Sequence, residues 1–208
     1  LSDISIWESW YGVKHAAAQM IDSAVYGLPE VNREAIATAS LVACPGCYPT
    51  AVQPGFLPLL EAGLIDPESL VASCASGTSG AGRSAKVNLL LSESVETMKS
   101  YGVGGHRHLP EMEQGLIRMA GTNVSLTFVP HLAPMVRGIH ATLFATLTET
   151  AVDLQAVFKA RFCNEPFIRL TEGNYEPETR HVRGTNMCEI DVTHPPGDRV
   201  VVTVAIDN

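Results

Sequence analysis

The sequence predicts an α+β domain in which helices cover one face of a mixed, largely antiparallel sheet. In the second half of the chain, strand-like runs follow one another mostly without helices between them, which is typical of this fold class. Helix-like spacing of apolar residues is concentrated in the segments 56–64, 110–119 and 152–162. The 208 residues are 46% hydrophobic and contain no linker or internal repeat, so we expect a single domain over 1–208.

The first part of the chain predicts few regular elements. Residues 1–30 favour a short helix and turns rather than a sheet. The apolar run 39–44 ends at a Pro-Gly turn and predicts a short strand that places Cys44 in the core. The helix that follows contains Pro54 and Pro58, which cannot donate backbone hydrogen bonds, so we expect a bend or a late start.

The remaining strands are predicted from runs rich in β-branched and aromatic residues. A strand over 70–75 leads into the loop 76–83, which has three glycines in six positions and would let a ligand approach the backbone closely. The other predicted strands cover 124–129, 139–148, 167–170, 187–193 and 199–206. A Pro-Pro-Gly-Asp turn joins the last two as a hairpin.

Charge and cysteine content exclude several classes of protein. With 14 Lys and Arg against 22 Asp and Glu, the net charge of −8 disfavours nucleic acid and membrane surfaces as partners. No apolar run is long enough to span a bilayer. Five cysteines are too few for a disulfide scaffold, so we expect reduced thiols and a cytosolic location. The chain starts at Leu1 rather than Met and is expected to be a piece of a longer protein.

Cys47 is the first candidate for chemistry. It follows a strand and a tight turn and precedes a predicted helix, where the helix dipole and free backbone N–H groups should lower the pKa of its thiol. The alternative is a small buried core residue. Cys44 and Cys47 also form a C-x-x-C pair, a pattern of redox dithiols or of half a zinc site, but the sequence supplies no second ligand pair. We therefore expect no metal site.

A second candidate lies in the sequence His-Arg-His-Leu-Pro-Glu at 106–111. His108 and Glu111 are three residues apart at a predicted helix start, so the carboxylate can hold one imidazole nitrogen and direct the other toward a substrate. A histidine held in this way acts as a general acid or base. The alternative is that the histidines lie at the surface and Glu111 interacts with the helix dipole.

Two arginines in predicted loops are candidates for anion binding. Arg83 ends the glycine-rich loop and Arg137 lies between two predicted strands. A guanidinium group can hold a carboxylate or phosphate with two parallel hydrogen bonds. In a chain of net charge −8, an anionic substrate needs such local positive charge, although an arginine in a loop is more often solvated.

The usual dinucleotide fingerprint, G-x-G-x-x-G between a strand and a helix, is missing from the sequence. Any nicotinamide cofactor would therefore be bound mainly by residues outside this chain.

Six sequence blocks, in this order and spacing, resemble the N-acetyl-γ-glutamyl-phosphate reductases of arginine biosynthesis, which are related to aspartate-semialdehyde dehydrogenase. They are Tyr-Gly-Leu-Pro-Glu at 26–30, Pro-Gly-Cys-Tyr-Pro-Thr at 45–50, the loop 76–83, His-Arg-His-Leu-Pro-Glu at 106–111, Pro-His-Leu at 130–132 and Arg-Gly at 137–138. Together the blocks span most of the chain and are specific, whereas any one alone is weak.

The resemblance implies a two-domain oxidoreductase that reduces an acyl phosphate to a semialdehyde with NADPH. It implies that this chain is the catalytic and dimerisation domain, similar to the C-terminal domain of glyceraldehyde-3-phosphate and aspartate-semialdehyde dehydrogenases. An N-terminal Rossmann domain would hold NADP, and the segment that begins at Asp207-Asn208 would continue as a helix that this chain lacks. A homo-oligomer, dimer or tetramer, is implied as well.

The resemblance also assigns site residues. It implies that Cys47 forms a thioacyl intermediate, that His108 is the acid and base, and that Glu111 orients His108. The substrate-binding residues implied are Tyr101, His106, Arg83, Arg107 and Arg137. The cofactor-binding residues implied are Ser79, Gly80, Gly82 and Asn208. Two other hypotheses stay open: a cysteine hydrolase or acyltransferase that uses Cys47 and His108, and a non-catalytic assembly module.

Overall fold

A seven-stranded sheet is the centre of the computed structural model, which describes residues 1–83, 85–173 and 175–208. The strands are β1 (Val25–Tyr26), β2 (Val42–Ala43), β3 (Leu70–Ser76), β4 (Lys99–Ser100), β5 (Leu126–Leu132), β6 (Ile139–Thr146), β7 (Ile168–Leu170), β8 (Cys188–Thr193) and β9 (Arg199–Ile206). The α-helices are α1 (Ile4–Tyr11), α2 (Pro29–Thr38), α3 (Cys47–Glu61), α4 (Leu91–Ser94), α5 (Leu109–Ala120), α6 (Leu154–Phe162) and α7 (Thr179–Val182). Short 3-10 helices cover Ala18–Ser23, Thr78–Ala81 and Val87–Leu89.

The sheet has the strand order β4-β5-β3-β6-β9-β8-β7. The pairs β3–β5 and β7–β8 are parallel, and the other described pairs of this sheet are antiparallel. The predicted mixed, largely antiparallel sheet is therefore confirmed. The predicted hairpin is confirmed too, because β8 and β9 are antiparallel neighbours. Their pairing extends from Thr193 opposite Val201, next to the turn, to Glu189 opposite Ala205.

The helices α3, α5 and α6 pack on one face of the sheet and enclose the core. Gly55 of α3 lies so close to the sheet that a Cβ atom there would be 2.3 Å from Leu143 Cδ1 and 3.0 Å from Val204 Cγ2. The glycine thus lets α3 approach the sheet closely, and it identifies Leu143 and Val204 as members of the helix-covered face. Among the described residues, no helix has the length and apolar character that a membrane crossing requires.

The opposite face of the sheet is largely uncovered. Because successive side chains of a strand alternate between faces, Val71, Phe144 and Val201 point away from the helices, and they lie side by side in register. Each is half-buried rather than buried. The short helix α7 is an exception to the predicted one-sided arrangement, since His181 on α7 lies beside Glu189 on this second face.

The predicted late start of the proline-containing helix is wrong, because α3 begins at Cys47 and includes Pro54 and Pro58. Each proline inside a helix costs about 3 kcal/mol. Twelve of the fifteen residues of α3 are buried, and each large apolar side chain, such as Phe56 or Leu57, gains about 1.5–3 kcal/mol from burial. Burial in the core therefore offsets the lost hydrogen bonds.

Two predictions for the first part of the chain are also wrong. Val25–Tyr26 is a strand, which pairs in parallel with Val42–Ala43 in a separate two-stranded sheet. Cys44 is exposed rather than in the core. The reason is that β2 is two residues long and pairs with β1 alone, so it does not enter the main sheet.

Candidate active site

Cys47 is the first residue of α3 and lines a cavity of about 320 Å³. Gly46 precedes it as the N-cap residue in an extended conformation. The cavity brings together six of the residues predicted from the sequence: Cys47, Gly80, Tyr101, His106, Arg107 and His108. The predicted strand, turn and helix therefore place the thiol at the wall of a cavity that two histidines share.

The pKa of the Cys47 thiol is raised, which contradicts the lowering predicted from its position at a helix N-terminus. Burial is the largest cause, and the negative charge of Glu111 adds to it, while backbone N–H groups of Tyr48 and Cys47 act in the opposite direction. The helix N-terminus thus does favour the thiolate, but desolvation outweighs it. A base must take the proton from this thiol before it can act as a nucleophile at neutral pH.

His108 lies beside the turn that carries Cys47. Its imidazole packs against Gly46, since a Cβ atom on Gly46 would lie 2.6 Å from His108 Nε2. Burial, and secondarily the charge of Arg107, lowers the pKa of His108, so the ring is neutral at pH 7 and can accept a proton. Its Nδ1 atom is buried and has no hydrogen-bond partner among the described residues.

His106 packs beside His108 in the same cavity, with ring centroids 5.0 Å apart. Its Nδ1 accepts a hydrogen bond of 3.1 Å from the backbone N–H of His108. Burial, the nearby His108 and the charge of Arg107 lower the pKa of His106 to about 4. The backbone contact indicates that His106 helps to fix the segment that carries His108.

Glu111 does not make the predicted contact with His108. Its Oε1 atom accepts hydrogen bonds from the Tyr26 hydroxyl at 2.8 Å and from the Gly46 N–H at 2.9 Å. The i,i+3 spacing suggested a local pair, but the carboxylate has two donors from other elements that satisfy it instead. Glu111 therefore contacts the turn before Cys47 rather than the imidazole.

Tyr48 packs against both histidines and against Phe128 of β5. Its ring packs edge-on against His106, His108 and Phe128, with centroid distances of 5.5, 5.8 and 5.0 Å. The hydroxyls of Tyr48 and Tyr101 are 2.6 Å apart and share a hydrogen bond. This aromatic cluster restricts the orientation of both imidazoles.

The cavity also carries positive charge that the sequence analysis only partly predicted. Arg107 lines it, as expected, and so do Lys86 and Lys99, which were missed. Among the described lining residues there is no Asp or Glu, although the whole chain has a net charge of −8. Both lysines lie in the sequence between the glycine-rich loop and the histidine motif. This position could have indicated that they lie near the site.

Two of the predicted substrate-binding arginines do not line this cavity. The guanidinium of Arg137 binds Asp207 through two nitrogens, with Nη2 to Oδ2 at 2.6 Å. Arg137 is thus already paired with a carboxylate of this chain. Arg83 is exposed at the end of the glycine-rich loop.

The predicted cofactor-binding residues hold the glycine-rich loop together. Asn208 Oδ1 accepts hydrogen bonds from the Ser79 hydroxyl and the Gly138 N–H, both at 2.8 Å. A Cβ atom on Gly80 would lie 2.7 Å from Asn208 Nδ2, so the glycine is needed for this close approach. Gly82 has φ +66°, which favours glycine, and does not line the cavity. Contact of these four residues with a cofactor stays a prediction.

Within residues 1–83, 85–173 and 175–208, no group of three or more His, Cys, Asp or Glu side chains is arranged to hold a metal ion.

The model of the family described as semialdehyde dehydrogenase, dimerisation domain, matches residues 47–208. N-acetyl-γ-glutamyl-phosphate reductases are similar along the whole chain: that of Pseudomonas fluorescens is 59% identical and that of Laribacter hongkongensis 58% identical. In both comparisons the match covers 100% of this chain and 61% of the relative. The chain thus spans about three fifths of the length of these relatives.

Solved structures of similar fold are aspartate-semialdehyde dehydrogenases. Aspartate semialdehyde dehydrogenase II from Vibrio cholerae aligns with a TM-score of 0.69 at 16% identity, over 90% of this chain and 64% of that one. A probable aspartate-semialdehyde dehydrogenase from Pseudomonas aeruginosa aligns with a TM-score of 0.63 at 16% identity, over 93% of this chain and 66% of that one. At this identity the likeness concerns the fold.

Proposed function

Because the chain belongs to the semialdehyde dehydrogenase family, whose dimerisation domain it contains, we propose that the full-length protein reduces an acyl phosphate to a semialdehyde. The similarity to N-acetyl-γ-glutamyl-phosphate reductases supports N-acetyl-γ-glutamyl phosphate as substrate, in arginine biosynthesis. The observation that carries the proposal is the half-buried Cys47 at a helix N-terminus, in one cavity with a neutral His108 and three cationic side chains. The five free cysteines support a reducing, cytosolic location.

The wall of the cavity formed by Gly77, Gly80 and Ala81 supports binding of a flat ring beside Cys47, because these residues have small side chains or none. This wall fits the reactive end of a dinucleotide, while the rest of the dinucleotide would be held outside this chain. NADP, when bound, supplies the hydride for the reduction. The preference for NADP over NAD is part of the proposal.

In the first step, the imidazole of His108 takes the proton of the Cys47 thiol. The sulfur then attacks the acyl carbon, a C–S bond forms, and the bond to the phosphate oxygen breaks, so that inorganic phosphate leaves. Because burial raises the pKa of Cys47 and lowers that of His108, both groups are neutral before the substrate arrives. Neither group then carries a buried charge in the resting site.

In the second step, the acyl carbon of the thioester gains a hydride and its oxygen becomes negative. Protonated His108 donates its proton to this oxygen. The hemithioacetal then collapses: its C–S bond breaks, its hydroxyl proton passes through His108 to the sulfur, and the semialdehyde leaves with Cys47 again a neutral thiol. In the reverse direction His108 acts as the base.

The experiment that tests the proposal measures the reverse reaction in the full-length protein. We expect NADP reduction with N-acetyl-glutamate semialdehyde that requires inorganic phosphate. Acyl-phosphate or ester hydrolysis without a nucleotide would instead indicate the cysteine hydrolase. Neither activity, from a folded protein, would indicate the assembly module.

The cationic side chains of the cavity are expected to bind the phosphate group of the substrate. Replacing Lys99 by Ala, or Lys86 by Ala, should raise the KM for inorganic phosphate about tenfold, since a hydrogen bond to a charged group contributes about 1.5–3 kcal/mol. The measurement is the initial rate against phosphate concentration. Lys14→Ala is the matched control, because Lys14 is exposed and pairs with Glu8 far along the chain from these residues. An unchanged KM in both cavity variants would exclude this role.

The uncovered face of the sheet supports self-association of the protein through this domain. Val71, Phe144 and Val201 form an apolar row in register on that face, and a second copy would bury it. Phe144→Asp places a charge in the row and should shift the protein to monomers at micromolar concentration. Light scattering measures the mass, and Val13→Asp, at a residue 59% exposed, is the control. A wild-type protein that is monomeric would contradict the proposal.

A further inference from the structure

A hydrogen-bonded chain connects the middle of α3 to the turn that carries Cys47. The side chain of Gln53 is 1% exposed, and its Nε2 donates to the Tyr26 hydroxyl at 3.0 Å. The Tyr26 hydroxyl donates to Glu111 Oε1, and the same oxygen accepts the N–H of Gly46, the N-cap residue directly before Cys47. The chain therefore ends on the backbone of the nucleophile's turn.

The elements joined by this chain are distant in sequence. Tyr26 belongs to β1, which pairs with β2 just before the turn, while Glu111 belongs to the first turn of α5. The contact between Glu111 and Gly46 spans 65 residues, and that between Tyr26 and Glu111 spans 85. One carboxylate oxygen thus ties the small sheet, the start of α5 and the start of α3 to one another.

The close packing of α3 against α5 preserves this arrangement. Gly115 on α5 faces Gln53, and a Cβ atom at Gly115 would lie 2.4 Å from Gln53 Oε1. Gln53 Oε1 is buried and has no hydrogen-bond partner among the described residues. A buried amide that is only partly satisfied costs free energy, and the hydrogen bond from Gln53 Nε2 to Tyr26 partly offsets this cost.

Gly46 is fixed from two sides by α5. Its N–H is bound by Glu111, and its Cα faces the imidazole of His108, which leaves no room for a side chain. The backbone position before Cys47 is therefore set by the same helix start that presents His108. Displacement of this turn would alter the distance between the sulfur and the imidazole.

We propose that Glu111 and Tyr26 are positioning residues that hold the Cys47 turn through the Gly46 N–H, and that Glu111 does not orient His108. This inference rests on the proposed function, because it takes Cys47 as the nucleophile. The hydroxyl of Tyr26 is suited to the role, since burial and Glu111 raise its pKa and keep it protonated as a donor.

The test uses Tyr26→Phe, Glu111→Gln and Glu111→Ala in the full-length protein, with Tyr175→Phe as the matched control. Tyr175 also donates its hydroxyl to a glutamate, Glu189, but on the other face of the sheet. Two quantities are measured for each variant: steady-state kcat and KM, and the pH dependence of Cys47 alkylation by iodoacetamide, followed by mass spectrometry of the peptide that contains Cys47.

Loss of the network should lower kcat and leave KM nearly unchanged, because the nucleophile is misplaced while the binding groups remain. We expect kcat to fall about tenfold in Tyr26→Phe, which removes both hydrogen bonds of the Tyr26 hydroxyl but leaves that from Gly46 to Glu111, and about 10²-fold in Glu111→Ala. Glu111→Gln should keep most of kcat, because its amide oxygen can still accept from Gly46 and Tyr26. In the same variant the alkylation midpoint of Cys47 should move to lower pH, since the charge of Glu111 raises the pKa of this thiol.

Two results would overturn the proposal. One is that Tyr26→Phe and Glu111→Ala both behave like Tyr175→Phe. The other is that Glu111→Gln loses as much kcat as Glu111→Ala with an unchanged alkylation midpoint, which would mean that the carboxylate charge acts on His108. If Glu111→Ala does not fold, as judged by its melting temperature, the proposal is tested by Tyr26→Phe and Glu111→Gln alone. It is then overturned if Tyr26→Phe behaves like Tyr175→Phe and the alkylation midpoint of Glu111→Gln is unchanged. The alkylation of Cys47 can be measured in a protein without turnover. Failure of the proposed function can therefore be distinguished from failure of the proposed positioning role.

Discussion

Cys47→Ser should lower turnover of the full-length protein by about 10³-fold or more, whereas Cys44→Ser should leave it within about twofold. A serine hydroxyl is a far weaker nucleophile than a thiolate, and its proton is harder to remove. Only Cys47 combines the start of α3 with the wall of the cavity that contains His108. The measurement is phosphate-dependent NADP reduction by both variants at equal protein concentration.

Cys44→Ser is a matched control because it makes the same chemical change three residues away. Cys44 is exposed and does not line the cavity. Full activity of Cys47→Ser, equal to that of Cys44→Ser, would exclude Cys47 as the nucleophile. Equal loss in both would point to a C-x-x-C dithiol, the alternative that the spacing of the two cysteines left open.

The sequence allowed the position of Cys47 to be predicted, but not the state of its thiol. The apolar strand, the Pro-Gly turn and the helix pattern are local signals, and they are confirmed by β2 and α3. The pKa of the thiol depends on burial, which the rest of the fold determines. The helix N-terminus is visible in the sequence, whereas the desolvation that outweighs it is not.

The hydrogen-bond partners of Glu111 likewise could not be predicted from the local sequence. Its i,i+3 spacing from His108 is a local pattern, and such spacing favours side-chain contact on a helix. His108, however, is the N-cap residue of α5, with φ −82° and ψ −14°, and Glu111 binds donors that lie 65 and 85 residues away. Partners brought together by tertiary packing cannot be identified from spacing within one helix.

The substrate-binding residues were predicted from residue type, because their positions in the fold could not be read from the sequence. As a result, Arg107 lines the cavity as predicted, whereas Arg83 and Arg137 do not. Arginine is well suited to anion binding, which favoured Arg83 and Arg137 over any lysine. In the folded chain Asp207 binds Arg137, while the lysines Lys86 and Lys99 line the cavity with Arg107. A guanidinium that already has a carboxylate partner contributes less positive charge to a distant site than an ammonium group at the wall of that site.

His108→Asn should lower kcat by about 10²–10⁴-fold, as expected for loss of a positioned acid or base, with a much smaller change in KM. Asparagine keeps a polar side chain of similar position but cannot accept the proton of Cys47. His106→Asn should lower kcat far less, because His106 Nδ1 accepts a backbone hydrogen bond from His108. In this role His106 fixes the loop and does not transfer a proton. The measurement is kcat and KM for both variants in the phosphate-dependent reaction.

The pH profile distinguishes the two histidines further. Burial lowers the pKa of His108 below its ordinary value, so its base form persists at pH values where an exposed histidine is already protonated. Activity of the wild type should therefore hold as the pH falls through 6.5, the ordinary histidine value, and decline only below it. In His108→Asn this acid-side decline should disappear from the residual rate, because the group that titrates is gone. If His106→Asn removes the decline and His108→Asn keeps both the decline and the rate, the proton is carried by His106.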